Sequence, residues 1–218
     1  MKVYAINGGP RKGWNTHMLL EAALEGAAST GASTEMINLY DLDYKGCWGC
    51  LGCKRKGGTV GKCVINDGLK PVLDSLEQCD AIIFGSPIYV GEVTGELRSC
   101  IERLTFQYVS YDDMGETLNK RRINTGFIFT TNCPENMYDV VGYTRLFQDY
   151  EKFMNRIFGE CKTMAASETW QIDDYENYHM AMFDVPDRRK RREEVFPQDC
   201  KKAAEIGKWA CTAPVSGT

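Results

Sequence analysis

A strand-like run, Lys2-Val3-Tyr4-Ala5-Ile6-Asn7, passes directly into Gly8-Gly9-Pro10-Arg11-Lys12-Gly13-Trp14-Asn15-Thr16, and from there the apolar residues Met18, Leu19, Leu20, Ala23 and Leu24 recur at helical spacing up to a glycine stop at Gly31. A second strand is expected over residues 33–39. Strand, helix and strand in so short a stretch form a βαβ unit, which requires parallel strands and a right-handed crossover. The loop inside that unit has the composition of a phosphate cradle. Gly8, Gly9 and Gly13 let the backbone turn tightly and approach a ligand, and the following helix offers its positive N-terminal end. Arg11 and Lys12 add charge, and Asn15 and Thr16 add hydrogen-bond donors.

What the loop lacks narrows the ligand. Gly8 and Gly13 have the spacing of a triphosphate loop, but Trp14 stands where its lysine belongs. The dinucleotide fingerprint would need glycine at position 10, which is Pro10. A single phosphate monoester fits best, and an ordinary βα turn punctuated by glycines is the competing reading.

Further along, a helix is expected over 69–77 with Asp67 as its N-cap, then the continuous apolar run Ala81-Ile82-Ile83-Phe84, as in a central strand buried on both faces. A helix over 94–105, a polar, Tyr-rich excursion over 106–119, a strand over 123–130, a long helix over 138–158, a short strand over 162–166 and a final helix over 199–209 complete the pattern. The expectation is one α/β domain over 1–218: a flavodoxin-like, doubly wound, five-stranded parallel sheet of order 2-1-3-4-5 with helices on both faces. It carries a cysteine-rich loop at 46–66, a C-terminal extension from about 167 to 218, and a frayed tail at Ser216-Gly217-Thr218. In such sheets ligands bind outside the carboxyl ends of the strands at the switch point, so the first loop and Ser86-Pro87-Ile88-Tyr89-Val90-Gly91 should meet at one ligand. Ser86 and the N–H groups of residues 88–91 suit the polar edge of a flat ring, with Tyr89 over its face. A plain proline-containing connection is the alternative.

A formal charge of −4 argues against a general nucleic-acid or anionic-membrane binder, and no apolar run has the roughly 20 residues that span a bilayer. Met1 leads straight into a core strand rather than a signal peptide, so a cytoplasmic protein is expected. Ten cysteines are then many, because thiols stay reduced there. Six are scattered as small buried hydrophobes, whereas Cys47, Cys50, Cys53 and Cys63 have ligand-type spacing. A [4Fe–4S] cluster, structural zinc and a metal-free reduced loop all fit that spacing. The basic run Arg188-Arg189-Lys190-Arg191-Arg192 reads as a solvated face balanced by Glu193 and Glu194.

Three motifs carry a resemblance: residues 7–16, the run Cys47-Trp48-Gly49-Cys50-Leu51-Gly52-Cys53 through Cys63-Val64-Ile65-Asn66-Asp67, and residues 85–95. By these the first half of the chain resembles the NADPH-dependent FMN reductase-like flavoproteins, within them the iron–sulfur flavoprotein branch. The resemblance implies FMN, with its phosphate on Arg11, Lys12, Gly13, Asn15 and Thr16, beside Gly9 and Pro10. Its ring would lie along Ser86, Pro87, Ile88, Tyr89, Val90 and Gly91, and a third loop falls on Thr130, Thr131 and Asn132. Gly9 stands in place of the family's usual serine, Trp14 of a glycine, and Gly68-Leu69 of Asp-Met. The gap of nine residues between Cys53 and Cys63 is longer than usual in the branch.

The function expected is an FMN-dependent oxidoreductase that takes electrons from NAD(P)H or a reduced, ferredoxin-like carrier and passes them to a flavin, quinone or other small acceptor. The flavin carries the chemistry, and no catalytic side chain is required. A non-catalytic flavin or iron–sulfur electron carrier is the alternative, and a sensing module with a vacant site is a third reading. An aromatic stripe on the long helix, Tyr143, Phe147, Tyr150 and Phe153, points to a homo-oligomer, with packing onto the sheet as the other explanation.

Overall fold

The computed structural model describes residues 1–113 and 115–214. The expected tail at 216–218 lies outside them, as do Met114 of the polar excursion and the last four residues of the C-terminal extension. The elements run β1 (Lys2–Asn7), α1 (Asn15–Ala28), β2 (Ser33–Asn38), α2 (Lys70–Leu76), β3 (Ala81–Tyr89), β4 (Glu92–Val93) and α3 (Gly95–Phe106). They continue with β5 (Asn124–Thr130), α4 (Tyr138–Val141), α5 (Tyr143–Ile157), β6 (Cys161–Ala166), α6 (Val185–Glu194) and α7 (Phe196–Ala210).

Five strands pair in parallel in the order β2-β1-β3-β5-β6, which is the flavodoxin-like arrangement. The sheet nevertheless has six strands rather than five, because β3 runs on past Gly85 and folds back on β4. Tyr89 pairs with Glu92, so Val90 and Gly91 form the two-residue turn, with φ of +52° and +84°. Positive φ at both central positions is the turn that matches strand twist, and Val90 holds it without a glycine.

Alternation along the strands places helices on both faces. Val3, Ala5, Ala81, Ile83 and Ile128 pack with α1 and α7, while Tyr4, Ile6, Ile82, Phe84, Phe127 and Phe129 pack with α2, α3 and α5. Helices α1 and α7 meet so closely that a Cβ at Gly26 would run into the carbonyl of Ala204, and one at Gly207 into that of Ala23. The expected long helix is broken at Gly142, whose φ of +82° ends α4. Its aromatic stripe packs onto the sheet: Phe147 stacks on Phe129 at 4.3 Å between ring centroids and Tyr150 meets Phe127 at 4.9 Å. The basic run forms part of α6, and Arg188 within it is buried. Among the described residues no helix is long and apolar enough to cross a membrane.

Candidate active site

The glycine loop is held from three sides. Gly8 N–H donates to the Gly85 carbonyl at 2.8 Å, and Thr94 Oγ1 donates to the Gly8 carbonyl at 2.7 Å. Gly9 N–H donates to Asn7 Oδ1 at 2.9 Å, and Asn7 Nδ2 donates in turn to Asn38 Oδ1 at 2.8 Å, so β2 also fixes the turn. A Cβ on Gly8 would come within 2.6 Å of Leu97 Cβ, which is why glycine is needed there. In the first turn of α1, Thr16 Oγ1 shares a hydrogen bond with Thr130 Oγ1 at 2.8 Å and ties the loop to the end of β5.

One open cleft lies at the carboxyl ends of β1, β3 and β5. Gly9, Pro10, Arg11, Asn15 and Thr16 line it from the first loop, Pro87, Ile88 and Tyr89 from the end of β3, and Thr130, Thr131 and Asn132 from the end of β5. Trp14, Thr169 and Gln171 complete the wall. The carbonyl oxygens Asn132 Oδ1 and Gln171 Oε1 are buried without a partner among the described residues.

Five expected residues lie outside the lining. Lys12 places its ammonium 2.6 Å from Asp41 Oδ2, and Gly13, with φ of +74°, faces a second hollow beside Trp170 and Arg189. Ser86 is buried beneath the site, where its hydroxyl donates to the Pro87 carbonyl and accepts from Thr94 N–H. Val90 and Gly91 are the exposed tip of the hairpin. Two lining residues are already engaged by the C-terminal segment: Arg11 Nη1 donates to the Gln171 carbonyl at 2.6 Å and its guanidinium stacks 4.1 Å from the Trp14 ring. Asn15 Nδ2 donates to the Trp170 carbonyl at 2.6 Å, and its Oδ1 accepts from Arg192 at 2.9 Å. Thr169, Trp170 and Gln171 sit in irregular backbone and have no sequence signal. Helix α6 does have one, an Asp184 N-cap that accepts from Asp187 N–H followed by Pro186 in the first turn.

The cysteine loop is organised differently. Cys53 is buried, Cys47 and Cys63 are half-buried and Cys50 is exposed, and all four border one small cavity with Arg103 and Gln107. Among the described residues, however, no three His, Cys, Asp or Glu side chains gather closely enough to hold a metal ion. Bordering a cavity is a looser condition than ligating one centre, and the left-handed Gly49 and Leu51 bend the run between the thiols. The loop is pinned by buried Arg103, which donates to Asp67 and to the carbonyls of Lys45 and Ile65. Lys54 Nζ donates to the carbonyls of Phe106 and Gln107 at 2.6 and 2.9 Å, and Cys63 N–H donates to Gln107 Oε1 at 2.7 Å. Burial pushes the Cys53 thiol up, against the opposing charge of Lys54, and burial pulls the Lys54 ammonium down.

The sequence pattern of the NADPH-dependent FMN reductases matches residues 1–122. An iron-sulfur flavoprotein of Methanocaldococcus jannaschii is 40% identical over 103 residues, covering 47% of this chain and 51% of that one. One from Archaeoglobus fulgidus is 40% identical over 103 residues, 47% of this chain and 48% of its own. The chain thus spans about half the length of the curated relatives it matches. In fold it is similar to an NAD(P)H:quinone oxidoreductase from Methanothermobacter marburgensis, with a TM-score of 0.69 at 14% identity over 95% of this chain and 96% of that one.

Proposed function

We propose that this chain, which belongs to the NADPH-dependent FMN reductase family, is an FMN-dependent oxidoreductase that moves electrons from NAD(P)H or a reduced carrier to a small acceptor. One observation carries the reading: three loops from the ends of β1, β3 and β5 meet at a single cleft at the switch point of the sheet. The residues there fit the cofactor. Thr16 and the backbone around Gly9 would hold the phosphate, Pro87, Ile88 and Tyr89 would flank the ring, and the unpartnered oxygens of Asn132 and Gln171 offer acceptors for ring N–H groups. Bound FMN supplies hydride and single-electron chemistry. The side chains bind, orient and exclude water. The test is direct: the purified protein should be yellow with releasable FMN, and colourless protein that does not take up added FMN overturns the reading.

The electron-carrier alternative draws on the relatives named iron-sulfur flavoproteins and on the four cysteines bordering one cavity. Among the described residues these thiols are not gathered into a metal-binding group. Iron analysis of anaerobically purified protein, with steady-state NAD(P)H oxidation by a quinone, separates relay from reductase. Cytoplasmic location belongs to the same proposal, since ten cysteines suit a reducing compartment. A homo-oligomer is part of the same proposal: Phe147 and Tyr150 of the aromatic stripe meet the sheet while Tyr143 and Phe153 stay half-buried, and light scattering across the micromolar range decides it.

A further inference from the structure

Beyond Asn132 lies a further cavity, larger than the cleft, between the end of β5, α4 and the start of α6. Its most buried basic group is Arg188, only 7% exposed. The guanidinium Nη2 donates to the Asn132 carbonyl at 2.9 Å, and the Phe183 ring lies 5.0 Å from Cζ. Nη1 is shielded from solvent and has no partner among the described residues. Glu168 Oε1 comes no nearer than 3.9 Å, which is an ion pair too long to be a good hydrogen bond. Burial pulls the Arg188 pKa down even with Glu168 nearby, as for a charge short of compensation. A buried guanidinium with an idle N–H is costly unless an acceptor arrives.

The other basic groups of the wall are already committed: Arg191 lies 3.0 Å and Lys202 3.7 Å from Asp199. Apolar surface comes from Met137, Val141, Tyr143, Met182 and Phe183. The rim carries exposed Glu135, Asp184 and Asp187, a field that repels multiply charged anions. We propose that this cavity is a binding site for a small molecule with one carboxylate and an apolar body, the carboxylate being received by Arg188. Because Asn132 walls both spaces, a ligand here stands beside the cleft. Its role as the electron acceptor's subsite rests on the flavin reading above, whereas the site itself does not.

Calorimetric titration of the protein as purified, with 2-naphthoate, neutral 2-naphthamide and inorganic phosphate, tests this. The acid should bind about tenfold more tightly than the amide, as expected of a hydrogen bond to a charged group, and phosphate should not compete. Arg188→Met should bring the acid to the level of the amide. Equal binding of acid and amide, no binding of either, an unchanged acid affinity in folded R188M, or competition by phosphate overturns the proposal. Should R188M not fold, Met182→Glu, at a rim position 84% exposed, is expected to weaken the acid severalfold and spare the amide. An equal effect on both overturns it. Protein that lacks FMN yet separates acid from amide keeps the site and removes only its redox role.

Discussion

Two loops leave neighbouring parallel strands, one after β1 and one after β2, and they are held in opposite ways. The glycine loop is fastened by backbone amides and short side chains of the sheet itself: Gly8 to Gly85, Gly9 to Asn7, Thr94 to Gly8. The cysteine loop hangs on two long cations, Arg103 and Lys54, which reach out from α3 and from within the loop to carbonyls and to Asp67. A site framed by the backbone is shaped before any ligand arrives. One tied by a buried charge depends on that charge keeping its partner.

The largest effect that would break this contrast is Asp67→Asn. It strands the Arg103 guanidinium, whose side chain is wholly buried, and unfolding should become easier by about 3–5 kcal/mol in denaturant titration. Burial pushes the Asp67 carboxyl up, but the hydrogen bond and charge of Arg103 outweigh it and hold the group below its ordinary 3.8. A depressed carboxylate stabilises above its unfolded pKa, and that stability is lost as pH falls through the lower folded value. Wild-type protein should therefore lose stability on acidification below about pH 4, and D67N should lack that part of the slope.

Next comes Gly8→Ala. Its Cβ meets Leu97 and the Gly85 carbonyl, and a cost of about 1–3 kcal/mol with reduced FMN retention is expected from the same crowding. A variant as stable as wild type would show that the frame yields more than its contacts imply. Thr16→Val leaves the Thr130 hydroxyl without its partner, a loss of about 1–2 kcal/mol measured by thermal unfolding, with weaker FMN binding by equilibrium dialysis. The smallest effect belongs to Lys12→Ala. Its exposed pair with Asp41 is worth at most about 1 kcal/mol, and FMN affinity should hardly move; a large drop would mean that Lys12 leaves Asp41 for the phosphate.

The same contrast explains what was legible in the sequence. Local pattern carried β1, the glycine loop, α1 and the buried run of β3, because glycine spacing and apolar periodicity act over a few residues. It also brought Pro87–Tyr89 to the cleft of the first loop, since parallel order fixes where strand ends point, whereas Thr130–Asn132 came only from the family resemblance. Pattern did not show that Lys12 turns to Asp41 or that Asn15 is taken by Trp170 and Arg192, which are choices made between distant segments. Nor did a run of five basic residues reveal Arg188 as buried, because consecutive charges have no apolar face to read. The hairpin tip escaped as well, since valine is an unusual occupant of a left-handed turn position.

The glycine-to-carbonyl contact between α1 and α7 has a consequence for how the protein is made. Synthesis runs from the N-terminus, so α1 and the loop before it emerge well before residues 196–210. Until those residues leave the ribosome, one side of α1 has apolar surface and no helix to cover it, and Gly26 stands open to solvent. The loop, tied to Asn7, Gly85 and Thr94, can therefore take shape while the outer side of the helix that follows it still waits for its cover.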